Sequence, residues 1–321
     1  MKKGFSLYNF NKPGAGVVKK KEKKFTFKRF FFVLKNKFWK IVVLNGLFVF
    51  LNFPIFFGLA ALTGNFNIHF ITPADALHQP LFGISQYTSD PLFLSFWGVG
   101  GHETVSGYAG TVAMVLYCLC ALVIFTFGLT NLGMTYVLRN FAKEEHSDIG
   151  EDFFSAIKRN WKQGIILGII DILFIIVIIF DLSYFYYSTA AGAVSTFMLF
   201  AMVLLAFIYF FMRFYMYNIL VTFKLPIYKI LKNSFIFSIL GFKRNFIAGL
   251  AIFFVVLLNY VVYIFFNFLG AILLFAFTFA FITYISTFVV YPNIKRYMID
   301  PYYEEKEEEV PEEEPIFQDR G

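Results

Sequence analysis

Six uninterrupted apolar runs divide this chain, at residues 41–62, 111–136, 164–184, 193–212, 247–266 and 269–290. Each matches the roughly 20 residues that a helix needs to cross a bilayer. Lipid offers no hydrogen bonds, so every backbone N–H and C=O must pair within its own segment, and the runs are expected to be helices. The last two nearly touch. Asn267, with Gly270 after it, reads as a polar break between two spans.

The distribution of base is as constraining as the runs. Thirteen Lys and Arg precede the first run, five lie in 137–163, six in 213–246 and four follow the last run. The segments 63–110 and 185–192 and the fifth connection hold none. All 28 basic residues therefore fall on one side, which the positive-inside rule makes cytoplasmic. Such segregation requires an even number of spans. The expected fold is an all-α membrane protein of six transmembrane helices in the cell membrane, with N-terminus and C-terminus both cytoplasmic. Only 15% of residues are charged, against about 25% in soluble domains. The net charge of +7 would suggest nucleic acid in a soluble chain. Placed beside the spans it points instead to the anionic inner leaflet, and no nucleic-acid partner is expected.

These features divide the chain. Residues 1–24 read as a disordered basic cytoplasmic arm, and 25–40, where Phe and Trp alternate with Lys and Arg, as an interfacial amphipathic helix. Residues 41–292 form the membrane domain, with an outer loop at 63–110 and cytoplasmic amphipathic loops at 139–163 and 213–246. Residues 293–321 read as an acidic disordered tail, since Glu304 to Glu314 is a block of like charge. The first run exceeds a signal-peptide core, so it is expected to stay as a span. Cys118 and Cys120 point to nearly opposite helix faces, cannot pair, and are expected to be buried thiols.

In the loop 139–163, Asp148-x-x-Glu151 resembles a capping box. Ile149, Phe153, Phe154, Ile157 and Trp161 then share one helical face, which predicts a helix parallel to the membrane. The next loop repeats the design, with Pro226 at a helix start and Ile227, Ile230, Leu231 and Phe235 on its apolar side. Such helices can receive a partner, for example an ATPase subunit, or act as passive anchors. The Ala- and Gly-marked coupling motif of an ABC permease is absent, which argues against the chain being the permease itself. Lys158-Arg159-Asn160-Trp161, Lys243-Arg244-Asn245-Phe246 and Lys35-Asn36-Lys37-Phe38 each precede an odd-numbered span. They suggest three related helical hairpins; the alternative is that every inward-to-outward crossing favours base and aromatics.

Two motifs resemble a known family. The stretch from Gly133-Met134-Thr135-Tyr136 through Arg139-Asn140-Phe141-Ala142, followed by Glu144-Glu145-His146 and Asp152-Phe153-Phe154, is similar to the YesL family of bacterial membrane proteins. So is Leu231-Lys232-Asn233-Ser234-Phe235 running into Gly241-Phe242-Lys243-Arg244-Asn245. The resemblance covers roughly 30–62 and 112–292, leaving out the outer loop, the arm and the tail. The family's function is unknown, and its members are often encoded beside carbohydrate ABC transport genes. The resemblance implies an accessory or regulatory role in carbohydrate ABC uptake, with ABC permease and ATPase subunits as partners. Arg139, Glu145, His146, Asp152, Lys158, Arg159, Lys243 and Arg244 are the candidate partner surface.

Within the membrane the outlying residue is Asp171, about 10 Å inside the third span at 1.5 Å per residue. A charge there is costly and is expected to be paired or functional. It serves either a proton or cation relay in a standalone secondary transporter, or a hydrogen-bonded contact between helices. Asn45, Asn52, Asn131, Asn218 and Asn259 are candidates for interhelical hydrogen bonds. Gly164-x-x-x-Gly168 offers a face for close packing, and Pro54 should kink the first span. The outer-loop residues His69, His78, His102, Asp75, Asp90 and Glu103 are too scattered for a zinc site, and Phe93, Phe96 and Trp97 form an apolar patch. No catalytic triad, phosphate-cradling Gly-rich loop or paired carboxylate stands out, so neither an enzyme nor a cofactor is expected.

Overall fold

The computed structural model describes residues 25–64, 68–71, 103–106, 110–188 and 192–301. Among them are five helices long and apolar enough to cross a membrane, and a bent helix pair adds a sixth span. The expected arm, the centre of the outer loop and most of the acidic tail lie outside the described residues.

The bent pair is α1 (Phe27–Leu51) and α2 (Ile55–Leu62), which meet at 63°. Pro54 enforces the break, because it has no N–H to donate and its ring crowds the preceding turn. Asn52 satisfies what the break exposes, donating to Phe48 O at 2.9 Å and to Thr130 Oγ1 at 2.8 Å. The separate interfacial helix expected at 25–40 does not exist. No Pro interrupts residues 27–51, and Val33, Ile41, Leu44 and Asn45 fall on one buried face of a single helix. Its start is held by Thr26, whose hydroxyl caps the N–H of Arg29.

The second span joins α3 (Thr111–Cys120) to α4 (Val123–Lys143). The third is α5 (Ile149–Tyr187), which contains a kink at Asn160 with φ −125° and ψ 20°. The amphipathic helix expected before it is therefore the first part of α5. Asp148 caps that start by accepting from Glu151 N, as the sequence predicts. The buried face differs from the expected one: Phe153 and Ala156 are buried, whereas Phe154 and Trp161 are exposed.

The fourth span, α6 (Ala193–Thr222), runs ten residues beyond the apolar run, through Arg213 and Asn218. Those ten positions were expected in a loop. Phe214 to Val221 are all buried by neighbouring helices, and a helix sheltered by protein can carry polar groups that lipid would refuse. Then come α7 (Ile227–Leu240) and the fifth span, α8 (Phe242–Phe265). A sharp turn at Phe266 leads to α9 (Asn267–Leu273), a π-helical segment (Leu274–Thr278) and α10 (Phe279–Ile294), which together make the sixth span.

Glycine sets the tightest contact. A Cβ built at Gly128 of α4 would lie 2.6 Å from the Cα of Gly168 on α5, so these helices touch backbone to backbone. Gly164 and Gly168 were legible as a small-residue face; Gly128, their partner, was not. The outside is as informative as the core. Phe197, Phe200, Leu204 and Phe207 stand exposed along α6, an apolar surface that suits lipid. Cys118, expected to be buried, is exposed on this outer surface, and Cys120 packs against Gly58. Among the described residues one departure from an all-α fold occurs: the antiparallel pair β1 (Ile68–Ile71) and β2 (Glu103–Ser106), with Ile68 opposite Ser106. Both stretches carry residues that favour strands.

Candidate functional site

Asp171 is fully buried between α5 and α6 and is not alone. Arg213 approaches it side on: Nε lies 2.8 Å from Oδ1 as an ion-pair contact, and Nη2 donates to Oδ2 at 3.1 Å. Tyr209 donates to Oδ1 at 2.6 Å and Tyr217 to Oδ2 at 3.0 Å. Tyr209, Arg213 and Tyr217 recur every four residues along α6, so one helix face delivers all three to one carboxylate. An ion pair with further donors is the arrangement that offsets the cost of taking the carboxylate out of water. A metal cation bound here would meet the Arg213 guanidinium at the same oxygens, and the cluster joins α5 to α6. Arg213 was missed because it stands one residue past the apolar run, where it reads as loop base.

The asparagines divide by what they join. Asn45 on α1 donates to Phe275 O and accepts from Ala280 N, satisfying backbone groups displaced by the π-helical segment. Asn259 donates to Thr278 Oγ1 beside the same segment, Asn218 donates to Thr287 Oγ1, and Asn52 joins the first two spans. Asn131 instead turns back on its own helix, donating to Phe127 O. It lines a cavity of about 90 Å³ with Thr135, Arg213, Tyr217, Asn218 and Ser286. Within the described residues, the buried Oδ1 of Asn218 has no hydrogen-bond partner.

The motifs that carry the sequence resemblance build two corners at the basic end of the bundle. At the α4–α5 corner, Gly133 makes room for the Phe153 ring, which a Cβ would approach to 2.8 Å. Arg139 donates to Val221 O at 2.8 Å and to Thr222 Oγ1 at 3.2 Å, tying the last turn of α6, whose carbonyls have no partner within the helix. Glu144 ends α4 in a left-handed conformation, φ 59°, and meets Arg29 Nε at 2.8 Å. Ser147 donates to Asp152, and Lys40 donates to Ser147 O. At the α7–α8 corner, Asn245 donates to Phe237 O and Ser238 O and accepts from Tyr215 at 2.7 Å. Gly241 gives Tyr215 the space to arrive.

The expected partner surface therefore separates into two sets. Arg139 and Asp152 are held within the corners. Glu145, His146, Lys158, Arg159, Lys243 and Arg244 stand exposed around them. Glu145 pairs with Lys143, and Arg159 lies 5.2 Å from the centre of the Tyr136 ring.

Residues 109–182 match the model of a family described as a protein of unknown function, DUF624. The match covers less than half of the chain, and it spans the second membrane helix, the α4–α5 corner and Asp171. Among curated proteins and among solved structures nothing matches.

Proposed function

We propose that this chain is a non-enzymatic membrane accessory protein, with both termini cytoplasmic, whose basic end docks a partner complex in carbohydrate ABC uptake. One observation carries the reading. Asp171 and most of the asparagines inside the bundle are tied to neighbouring helices, while a rim of Lys158, Arg159, Lys162, Lys243 and Arg244 with Phe154 and Trp161 stands exposed on two fastened corners. A face of fixed shape, mixing base with aromatics, suits docking, because few side chains need ordering on contact. The sequence resemblance supplies the partner class, an ABC permease with its ATPase.

The test is a mild-detergent pull-down of the tagged protein from its native membrane, read by mass spectrometry. Enrichment of a permease and its ATPase, lost on charge reversal of Lys158, Arg159, Lys243 and Arg244, is the expected result. Recovery of the protein alone, under conditions that preserve a known transporter complex, would remove the reading.

The cavity beside Arg213 favours a second reading, a standalone secondary transporter that uses Asp171. There Asp171→Asn would abolish substrate flux in proteoliposomes while leaving the fold intact.

A further inference from the structure

A larger crevice lies elsewhere among the described residues, between the start of α1 and the fifth span, with α10 as its floor. It has a volume of about 470 Å³, within the range of small-molecule sites. Its floor and one wall are two parallel apolar stripes. On α8 they are Ile247, Ala248, Ala251 and Val255; on α10 they run from Phe281 to Pro292. The two alanines leave the space. The other wall is Phe25 to Phe31, held in place by Tyr284, which donates to Phe30 O at 3.0 Å, and by Phe25 edge-on to Phe288.

Arg244 stands at the mouth of this crevice. It is exposed, and among the described residues no carboxylate pairs with it. Lys243 beside it and Lys28 on α1 are exposed as well. From Arg244 to Val255 the stripe descends roughly 16 Å along the helix. That is one leaflet's share of a hydrocarbon core roughly 30 Å thick. A bilayer surface at the level of Arg244 would set this cation beside lipid phosphates and the apolar slot along a single leaflet.

We infer that this crevice is a binding site for one anionic phospholipid, with its phosphate on Arg244 and an acyl chain between α8 and α10 against Phe30. Basic pockets between spans recognise charged lipid headgroups in this way, and each buried methylene adds to the affinity. The site shares Arg244 with the proposed docking face, but lipid binding by the isolated chain is read without any partner, so its failure and that of partner docking are distinguishable.

Native mass spectrometry of the full chain in mild detergent tests it, with phosphatidylglycerol and phosphatidylcholine of matched chains as probes. The expected result is one retained phosphatidylglycerol, preferred at least about fivefold over phosphatidylcholine. Arg244→Gln, at an exposed position, should cut that preference about fivefold without changing the melting temperature in lipid-free detergent. Ala251→Leu, and more fully Ala251→Trp, should lower retention of both lipids by filling the slot. Equal retention of the two lipids would mean a non-specific lipid layer and would overturn the proposal. So would an unchanged preference in Arg244→Gln, or undiminished binding in a folded Ala251 variant. If inorganic phosphate competes fully while the Ala251 variants behave as wild type, the site is a bare anion site. If phosphatidylglycerol binds only after residues 302–321 are removed, the acidic tail is the occupant. Either result defeats the lipid assignment.

Discussion

Two acid–arginine pairs among the described residues fasten this molecule, and they differ in almost everything but their chemistry. Asp171–Arg213 joins two neighbouring spans, with the Asp171 side chain 0% and the Arg213 side chain 31% exposed, so the contrast with the second pair lies in the acids. Arg29–Glu144 joins the first helix to the end of α4 at the basic end, with side chains 10% and 25% exposed. In the first pair two tyrosines complete the carboxylate's hydrogen bonds, and water has no access to the acid. In the second, Arg29 also donates to Ala142 O, and water shares the load. The same contact is therefore a condition for folding in one place and a local adjustment in the other. A buried charge left alone keeps its desolvation cost, whereas a surface charge left alone is hydrated.

Mutation should make the contrast quantitative, with unfolding free energy measured in mixed detergent micelles. Asp171→Leu or Arg213→Leu alone is expected to cost about 3–5 kcal/mol. The double Leu variant should recover most of that loss, because it leaves no orphaned charge. Non-recovery would mean that the pair does more than fasten.

Gly128→Val, which touches no charge, should cost about 1–3 kcal/mol by forcing α4 and α5 apart. A tolerated valine there would contradict the backbone contact. Arg139 lies between the two extremes, half-buried and bonded to backbone. Arg139→Ala is expected to cost about 1–2 kcal/mol, with amide exchange of the last turn of α6 as the local readout.

At the exposed end, Arg29→Gln or Glu144→Gln should cost less than about 1 kcal/mol. That difference should fade at about 1 M salt, where the Debye length falls to about 3 Å. The cost of Asp171→Leu should survive the same salt. Glu144→Gly should come out near neutral, since relief of the left-handed backbone, about 1 kcal/mol, offsets loss of the pair.

The spans were readable because lipid imposes a long apolar run on any exposed helix, and the break at Pro54 followed from its missing N–H. Asp171 was readable for the same reason, as a violation. Its partner was not, because Arg213 looks like loop base until the helix is seen to continue to Thr222 among buried side chains. The α5 helix shows the complementary case. Its first turns were legible as an amphipathic helix with a capped start, and a non-helical Asn160 divides them from the span as expected, but the place of the break was not legible from periodicity. The bend at Asn160 is a backbone event, φ −125°, that no residue type announces. Asn45 was noticed as a polar intruder, yet what it satisfies, a π-helical segment 230 residues away, exists only in the folded chain.

The central claim is that charge inside the bundle fastens it while charge at the basic end does the work. The most direct measurement compares partner capture by two variants, each first confirmed to be folded. One is Asp171→Leu with Arg213→Leu; the other reverses the charge of Lys158, Arg159, Lys243 and Arg244. The account predicts that the first retains a co-purifying permease and ATPase at wild-type level and that the second loses them. Capture lost in the first variant and kept in the second would contradict it, and would move the working site into the membrane.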